Sequence, residues 1–303
     1  MLPRGYKKMK LPEKHPTHRD LQTPSIHQTE TAAKWRSTRG ILHLVLAFVI
    51  AGVVLCISIE SPVLAKSGYQ AGSNALPAID PDAMEALDKM GVYLRTLKSF
   101  QVRADVTTDD VLDDGQTIQF SSKVDLVAAR PNRMRVEITD DDGHRFFFFD
   151  GKNFTIFGQV VNYYATVPAP PTLALLADDL NDKYGIELPL YDLFEWGNND
   201  ANIKKIKAAD DIGPSAVDGV TCEQYAFRQE GVDWQIWIQL GEFPLPRKLV
   251  IRTLTDDAKP QHSELLTWNL APSFSENAFT FDPPADARRI TIAEVSAAAG
   301  KSK

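Results

Sequence analysis

From residue 80 onward the chain switches between two hydrophobic periods, and each switch marks an element. Asp80-Pro81-Asp82 predicts a helix start, with Asp80 as N-cap and Pro81 at the first helical position. Ala83, Leu87, Met90, Leu94 and Leu97 then recur at helical spacing, which gives one apolar face through Lys98. From Phe100 the period shortens to two. Phe100, Val102, Ala104 and Val106 alternate with polar residues, the mark of a half-buried strand. A turn at Asp113-Asp114-Gly115 leads to a second alternation, Ile118 to Leu126, and a break at Arg130-Pro131-Asn132 leads to Met134, Val136 and Ile138. After a turn at Asp141-Asp142-Gly143, Phe146 to Phe149 is too apolar for a strand with one solvated face, so both faces are expected to be covered. Asp150-Gly151 predicts a two-residue hairpin turn with positive φ at both positions, followed by strands at 153–157 and 163–167.

The segment from Pro168 to Trp196 departs from this pattern. Its prolines stop the sheet, and Leu173, Leu176 and Leu180 recur at helical spacing until Gly185. Leu190, Leu193, Phe194 and Trp196 make a second short helix. Strands return at 203–208, 221–229, 234–240, 247–255 and 264–270. Strands before and after a helical interlude, without β-α-β alternation, predict an α+β fold with a single antiparallel sheet.

The chain before residue 80 belongs to a different class. Residues 41–57 form an apolar run of 17 residues behind a basic stretch, and Val63-Leu64-Ala65 offers a cleavage site. This is the pattern of a secretory signal peptide, or of an uncleaved anchor at the lower length limit of a membrane span. The expected organisation is therefore a basic leader with its signal at 1–65, a linker at 66–79, a domain at 80–291 and a small, polar, disordered tail at 292–303. Cys56 as a lipidation site departs from the lipoprotein pattern, because Leu55 stands where a small residue is required. With the leader removed, Cys222 is the one remaining cysteine and reads as a small buried hydrophobe.

Charge follows the same division. The chain carries 33 Lys/Arg and 40 Asp/Glu, but residues 1–65 hold nine of the basic residues and four of the acids. The exported remainder is thus strongly acidic and lacks a basic stripe, which excludes nucleic acid as a partner. The acids cluster in turns, and the positions before Gly115 and Gly143 do not alternate as a calcium loop requires. His144 and His262 read as exposed turn residues, so no nucleophile–base pair emerges and no catalytic, metal or cofactor site is expected. What remains is apolar surface: Phe147 and Phe149, Leu173, Leu176 and Leu180, and the indoles Trp234, Trp237 and Trp268 supply the lining of a ligand pocket or of a filled core.

The order of the motifs adds a resemblance. Leu97-Lys98-Ser99-Phe100 before a strand, Arg130-Pro131-Asn132 after one and Asp150-Gly151-Lys152 in a hairpin are similar in order and spacing to the lipoprotein-carrier LolA/LolB superfamily. The body, with Val217-Asp218-Gly219-Val220, Trp234, Trp237 and Leu245-Pro246-Arg247-Lys248, resembles more closely an uncharacterised family of predicted periplasmic proteins of that fold. The resemblance implies an unclosed half-barrel of about eleven antiparallel strands wrapped around helices that act as a lid over an apolar cavity. It further implies that Arg130 latches the lid and that acyl chains are the cargo. The expected function is that of a non-enzymatic envelope protein, periplasmic or tethered by residues 41–57, that binds a lipid or other hydrophobic group. An interaction module with a closed core and an envelope protein as partner is the alternative, and a hydrolase comes third.

Overall fold

The computed structural model describes residues 78–196 and 203–294. The expected leader, most of the linker and residues 295–303 of the expected tail lie outside the described residues, as does the apolar run 41–57. Among the described residues no helix is long and apolar enough to cross a membrane.

Helix α1 spans Pro81–Thr96, and the Asp80 side chain accepts from the Asp82 N–H as its cap. Six strands follow: β1 (Ser99–Val111), β2 (Thr117–Ala129), β3 (Arg133–Asp140), β4 (Gly143–Phe149), β5 (Asn153–Gly158) and β6 (Tyr163–Pro168). Then come α2 (Leu173–Tyr184) and the one-turn α3 (Asp192–Glu195). Five strands return: β7 (Ala208–Val217), β8 (Val220–Gln229), β9 (Val232–Gln239), β10 (Pro246–Thr253) and β11 (Gln261–Asn269). A short 3-10 turn, Glu276–Phe279, and a two-residue strand β12, Arg288–Arg289, complete the chain.

All strands join one open sheet in the order β12-β6-β5-β4-β3-β2-β1-β11-β10-β9-β8-β7. The sheet has twelve strands rather than eleven, and β12 lies parallel to β6 whereas all other pairs are antiparallel. The extra strand is two residues long, too short to carry a period in sequence. The strand read at 203–208 is also misplaced, because β7 begins at Ala208. As an edge strand with Asp210, Asp211, a bulge before Gly213 and Pro214, β7 has no buried face to impose alternation. The turns hold better. Asp218 and Gly219 both have positive φ, but at Asp150-Gly151 only Gly151 does, and Asp150 instead accepts from the N–H groups of Lys152 and Asn153.

The helices pack on one face of the sheet in two adjoining clusters. In the first, Leu173, Leu176, Ala177 and Leu180 of α2 and Leu193 and Phe194 of α3 meet Phe100, Leu126, Val136, Phe149 and Phe154. In the second, Ala83, Leu87, Met90 and Leu94 of α1 meet Tyr225, Phe227, Trp234, Ile236, Leu249 and Ile251. Leu97, Trp196 and Trp268 touch both.

The far face carries a ladder of exposed ion pairs, Lys123–Asp105 at 2.8 Å and Arg103–Asp125 at 3.0 Å. It also carries an aromatic group: Phe148, Phe157 and Tyr164 surround Phe281 at centroid distances of 5.4, 5.3 and 5.2 Å. The C-terminal segment thus covers the second side of β4, as its four consecutive phenylalanines require. Beyond β12 that segment reaches the helix face, where Ile292, the first residue of the expected tail, packs against the first cluster.

Candidate functional site

Two turns and two helix ends come together at one end of the sheet. The peptide Arg130–Pro131 is cis. The Pro131 carbonyl accepts from the Leu173 N–H at 2.9 Å, so the Arg-Pro-Asn turn seats the first residue of α2. Gly151 has a φ of 92°, and a Cβ there would stand 2.6 Å from Asn132 Nδ2. Both its backbone conformation and the close approach therefore require glycine. The Lys152 carbonyl accepts from the Ala169 N–H at 2.9 Å, which ties the Asp-Gly-Lys turn to the chain entering α2. Motifs separated by twenty residues in sequence are thus one structural unit.

Arg130 points its guanidinium over the Phe194 ring at 5.4 Å from the centroid, and Phe194 in turn lies 6.0 Å from Phe100. The contact to α3 is therefore with an aromatic face. Burial first, and Arg95 second, lower the Arg130 pKa, and among the described residues no acceptor reaches its buried Nε. Phe147, Phe149, Leu173, Leu176 and Leu180 all fall in the first cluster. Trp234 falls in the second, stacked on Phe227 at 4.2 Å, and Trp268 borders both, its Nε1 donating to the Pro246 carbonyl at 2.8 Å. Trp237 is on the far face with Cys222 and Val250, beneath the Lys248 ammonium, and does not join the other indoles. It precedes the helix-facing Ile238 by one residue, and neighbouring strand residues point to opposite faces.

The largest departure from the sequence reading is His262. It is not an exposed turn residue: it lies in β11, 7% exposed, with Glu264 at 3%. His262 Nε2 and Glu264 Oε1 are 3.1 Å apart, and His262 Nδ1 is 2.8 Å from Thr108 Oγ1 on β1. The register places Glu264 opposite Val106 and Leu249, and His262 opposite Thr108 and Ile251, so the pair belongs to the helix face. A sequence signal existed: His262 and Glu264 share the parity of Leu266 and Trp268, which face the helices. Asp192 of α3 lies close enough to feel both. Burial and then the Glu264 carboxylate raise its pKa to about 7, and His262 works in the opposite direction. No sequence signal pointed to Asp192, because its proximity arises from how α3 packs.

The acidic turns are occupied with local structure. Asp114 and Asp140 accept from backbone N–H groups two residues on, and Asp140 also pairs with Arg145.

Comparison with solved structures gives similarities at low identity. The Mycobacterium tuberculosis lipoprotein LppX is 12% identical over 64% of this chain and 98% of its own, with a TM-score of 0.41. LprF from Mycobacterium bovis is 14% identical over 70% and 100%, with a TM-score of 0.39. The LolA superfamily protein NE2245 from Nitrosomonas europaea is 12% identical over 66% and 98%, with a TM-score of 0.33. No curated protein matches the chain. Residues 83–293 match the model of the predicted periplasmic protein family DUF2092, and the chain belongs to that family.

Proposed function

We propose that this protein is a non-enzymatic component of the cell envelope that holds a lipid or comparable hydrophobic group between the helix face of the sheet and helices α2 and α3. The observation that carries this reading is how lightly those helices are held over a broad apolar surface. Phe100, Leu126, Val136, Phe149 and Phe154 are covered by a three-turn and a one-turn helix, and the backbone anchor of α2 to the sheet is the Leu173–Pro131 bond. Displacing them would expose a surface of the kind that receives acyl chains. Arg130 on Phe194 is the proposed latch. The basic leader and apolar run support export to the periplasm, with residues 41–57 as a tether if uncleaved.

A second reading, an interaction module for an envelope protein, draws on the packing: Leu176, Leu180 and Phe149 are already fully buried, as in a filled core. Lipid extraction and mass spectrometry of the full chain purified from its native envelope separates the two. The first reading expects a recurrent lipid at near-stoichiometric amount. Repeated absence of any lipid overturns it in favour of the second.

A further inference from the structure

The strand register sorts the turns of the sheet into two rims of opposite charge. At one rim lie the β1–β2, β3–β4 and β10–β11 turns, which carry Asp113, Asp114, Asp141, Asp142, Asp256 and Asp257. Several cations near it are paired: Arg145 with Asp140, Lys207 with Glu230 and Arg228 with Asp233.

The other rim is built from the end of α1 and the β2–β3, β4–β5 and β9–β10 turns. Contacts make it continuous. The Phe243 ring lies 5.9 Å from that of Tyr93 in the last turn of α1, the Arg130 N–H donates to the Lys98 carbonyl at 2.7 Å, and Gly151 lies against Asn132. Arg95, Lys98, Arg133 and Lys152 are exposed here, and among the described residues no carboxylate pairs with any of them. Arg130 stands behind them, close enough to Arg95 for the like charges to act on each other, and its buried Nε has no acceptor. Of the acids at this end, Asp150 is held by the N–H groups of Lys152 and Asn153, and Glu242 and Asp218 add negative charge in separate turns. The cations are scattered between residues 95 and 152, so they form no stripe in sequence, and folding collects them.

Beside these cations the rim presents apolar side chains to water. Leu240 and Phe243 in the β9–β10 turn are 48% and 40% exposed, and Val92 on α1 is 44% exposed. Apolar side chains at the tip of a turn, flanked by unpaired cations, suit the interfacial layer of an anionic bilayer. A bilayer also demands no concave site, which fits cations spread over a helix end and several turns. The acidity of the domain does not oppose this. β1 has thirteen residues, so the rims lie roughly 40 Å apart, against a Debye length of about 8 Å at physiological salt. The bilayer responds to the near rim.

We propose that this rim docks on an anionic lipid bilayer, with Arg95, Lys98, Arg133 and Lys152 against the phosphates and Leu240 and Phe243 among the head groups. The surface does not rest on the proposed cargo, but it gives that cargo a direction of entry: the Arg-Pro-Asn turn that seats α2 belongs to the docked rim.

The test reconstitutes the full chain and reads amide exchange rim by rim, since residues 1–65 can themselves hold the chain on a vesicle. On vesicles of equal parts phosphatidylglycerol and phosphatidylcholine, amides at 130–133, 150–152 and 240–243 are expected to exchange about tenfold more slowly than on pure phosphatidylcholine. Those at 112–116 and 140–143 keep their rates. About 0.5 M NaCl removes the difference. Arg133→Gln with Lys152→Gln lowers the slowing to less than about twofold, because each cation at an anionic surface contributes about fivefold. Leu240→Ser lowers it to about threefold and leaves its salt dependence in place. Lys259→Gln at the opposite rim changes nothing. If the paired substitution fails to fold by circular dichroism, the salt titration of the unmodified chain tests the same charges. Equal exchange on both vesicles, slowing at 112–116 instead, or slowing that survives the paired substitution overturns the bilayer surface. Slowing by soluble poly-glutamate but not by vesicles overturns it in favour of an acidic protein partner. None of these outcomes bears on the lipid extraction that tests the cargo.

Discussion

Helices α1 and α2 cover neighbouring parts of the same face, yet they are fastened differently. α1 has sixteen residues, a side-chain N-cap from Asp80 and a backbone anchor on both sides of the Ile79–Ala209 bridge: Asp80 N–H donates to the Ala209 carbonyl, and Ala209 N–H to the Ala78 carbonyl. α2 has twelve residues, and its N-cap Thr172 makes no side-chain cap bond. Its continuation, α3, is a single turn reached through Leu190 at a φ of 55°, a backbone conformation that side chains other than glycine disfavour. One helix is built into the sheet's edge, whereas the other lies on the sheet by side-chain packing and a few bonds at its ends. The difference predicts that α2, if either helix opens locally, does so before the sheet unfolds.

The strongest test of this contrast is a pair of core truncations. Met90→Ala in α1 is expected to cost about 2–5 kcal/mol in global denaturant unfolding, as buried methionines do. Leu180→Ala in α2 removes a side chain just as buried, but its effect should fall largely on local opening. Amide exchange in α2 then accelerates before the denaturation midpoint falls by a comparable amount. Equal global losses with no selective acceleration in α2 would remove the distinction.

A smaller effect concerns how α3 is seated. The Asp192 value near 7 lies above the ordinary 3.8 of a free carboxyl, so the folded protein keeps a proton that the unfolded chain releases. Its contribution to stability is complete below about pH 4 and is lost as pH rises towards 7. Thermal melts at pH 5 and pH 8 should differ by roughly 2–3 kcal/mol from this group, and Asp192→Asn should flatten that difference. An unchanged pH profile in the variant would show that α3 is not seated through this carboxyl.

The smallest effect compares the two caps. Asp80→Ala is expected to cost about 1 kcal/mol, the usual value of a lost N-cap, whereas Thr172→Ala should change stability by only a few tenths. Matching losses from both would contradict the asymmetry of the helix starts.

Much of this architecture was legible because a sheet with one covered face writes its period into the sequence. β1 to β6 and the end of α2 at Gly185 follow from alternation and turn chemistry. The edges were not legible: β7 is exposed along most of its length and β12 has two residues, so burial imposed no pattern on either. The apolar site residues were visible as a class, but their grouping was not. Trp234 and Trp237 differ by three positions, which in a strand means opposite faces. Asp192 approaches Glu264 only through tertiary packing, which no local pattern records.

The β7 edge also has a consequence for life in a concentrated compartment. A long open sheet offers two borders to which another chain's backbone can add, the first step towards fibrous aggregates. Here the bulge before Gly213 shifts the register of hydrogen bonding, Pro214 lacks a donor, and Asp210 and Asp211 bring charge to the border. At the opposite border β12, with Arg288 and Arg289, occupies part of β6. The same edges that are hardest to read in sequence therefore protect the folded protein against growing into a larger sheet.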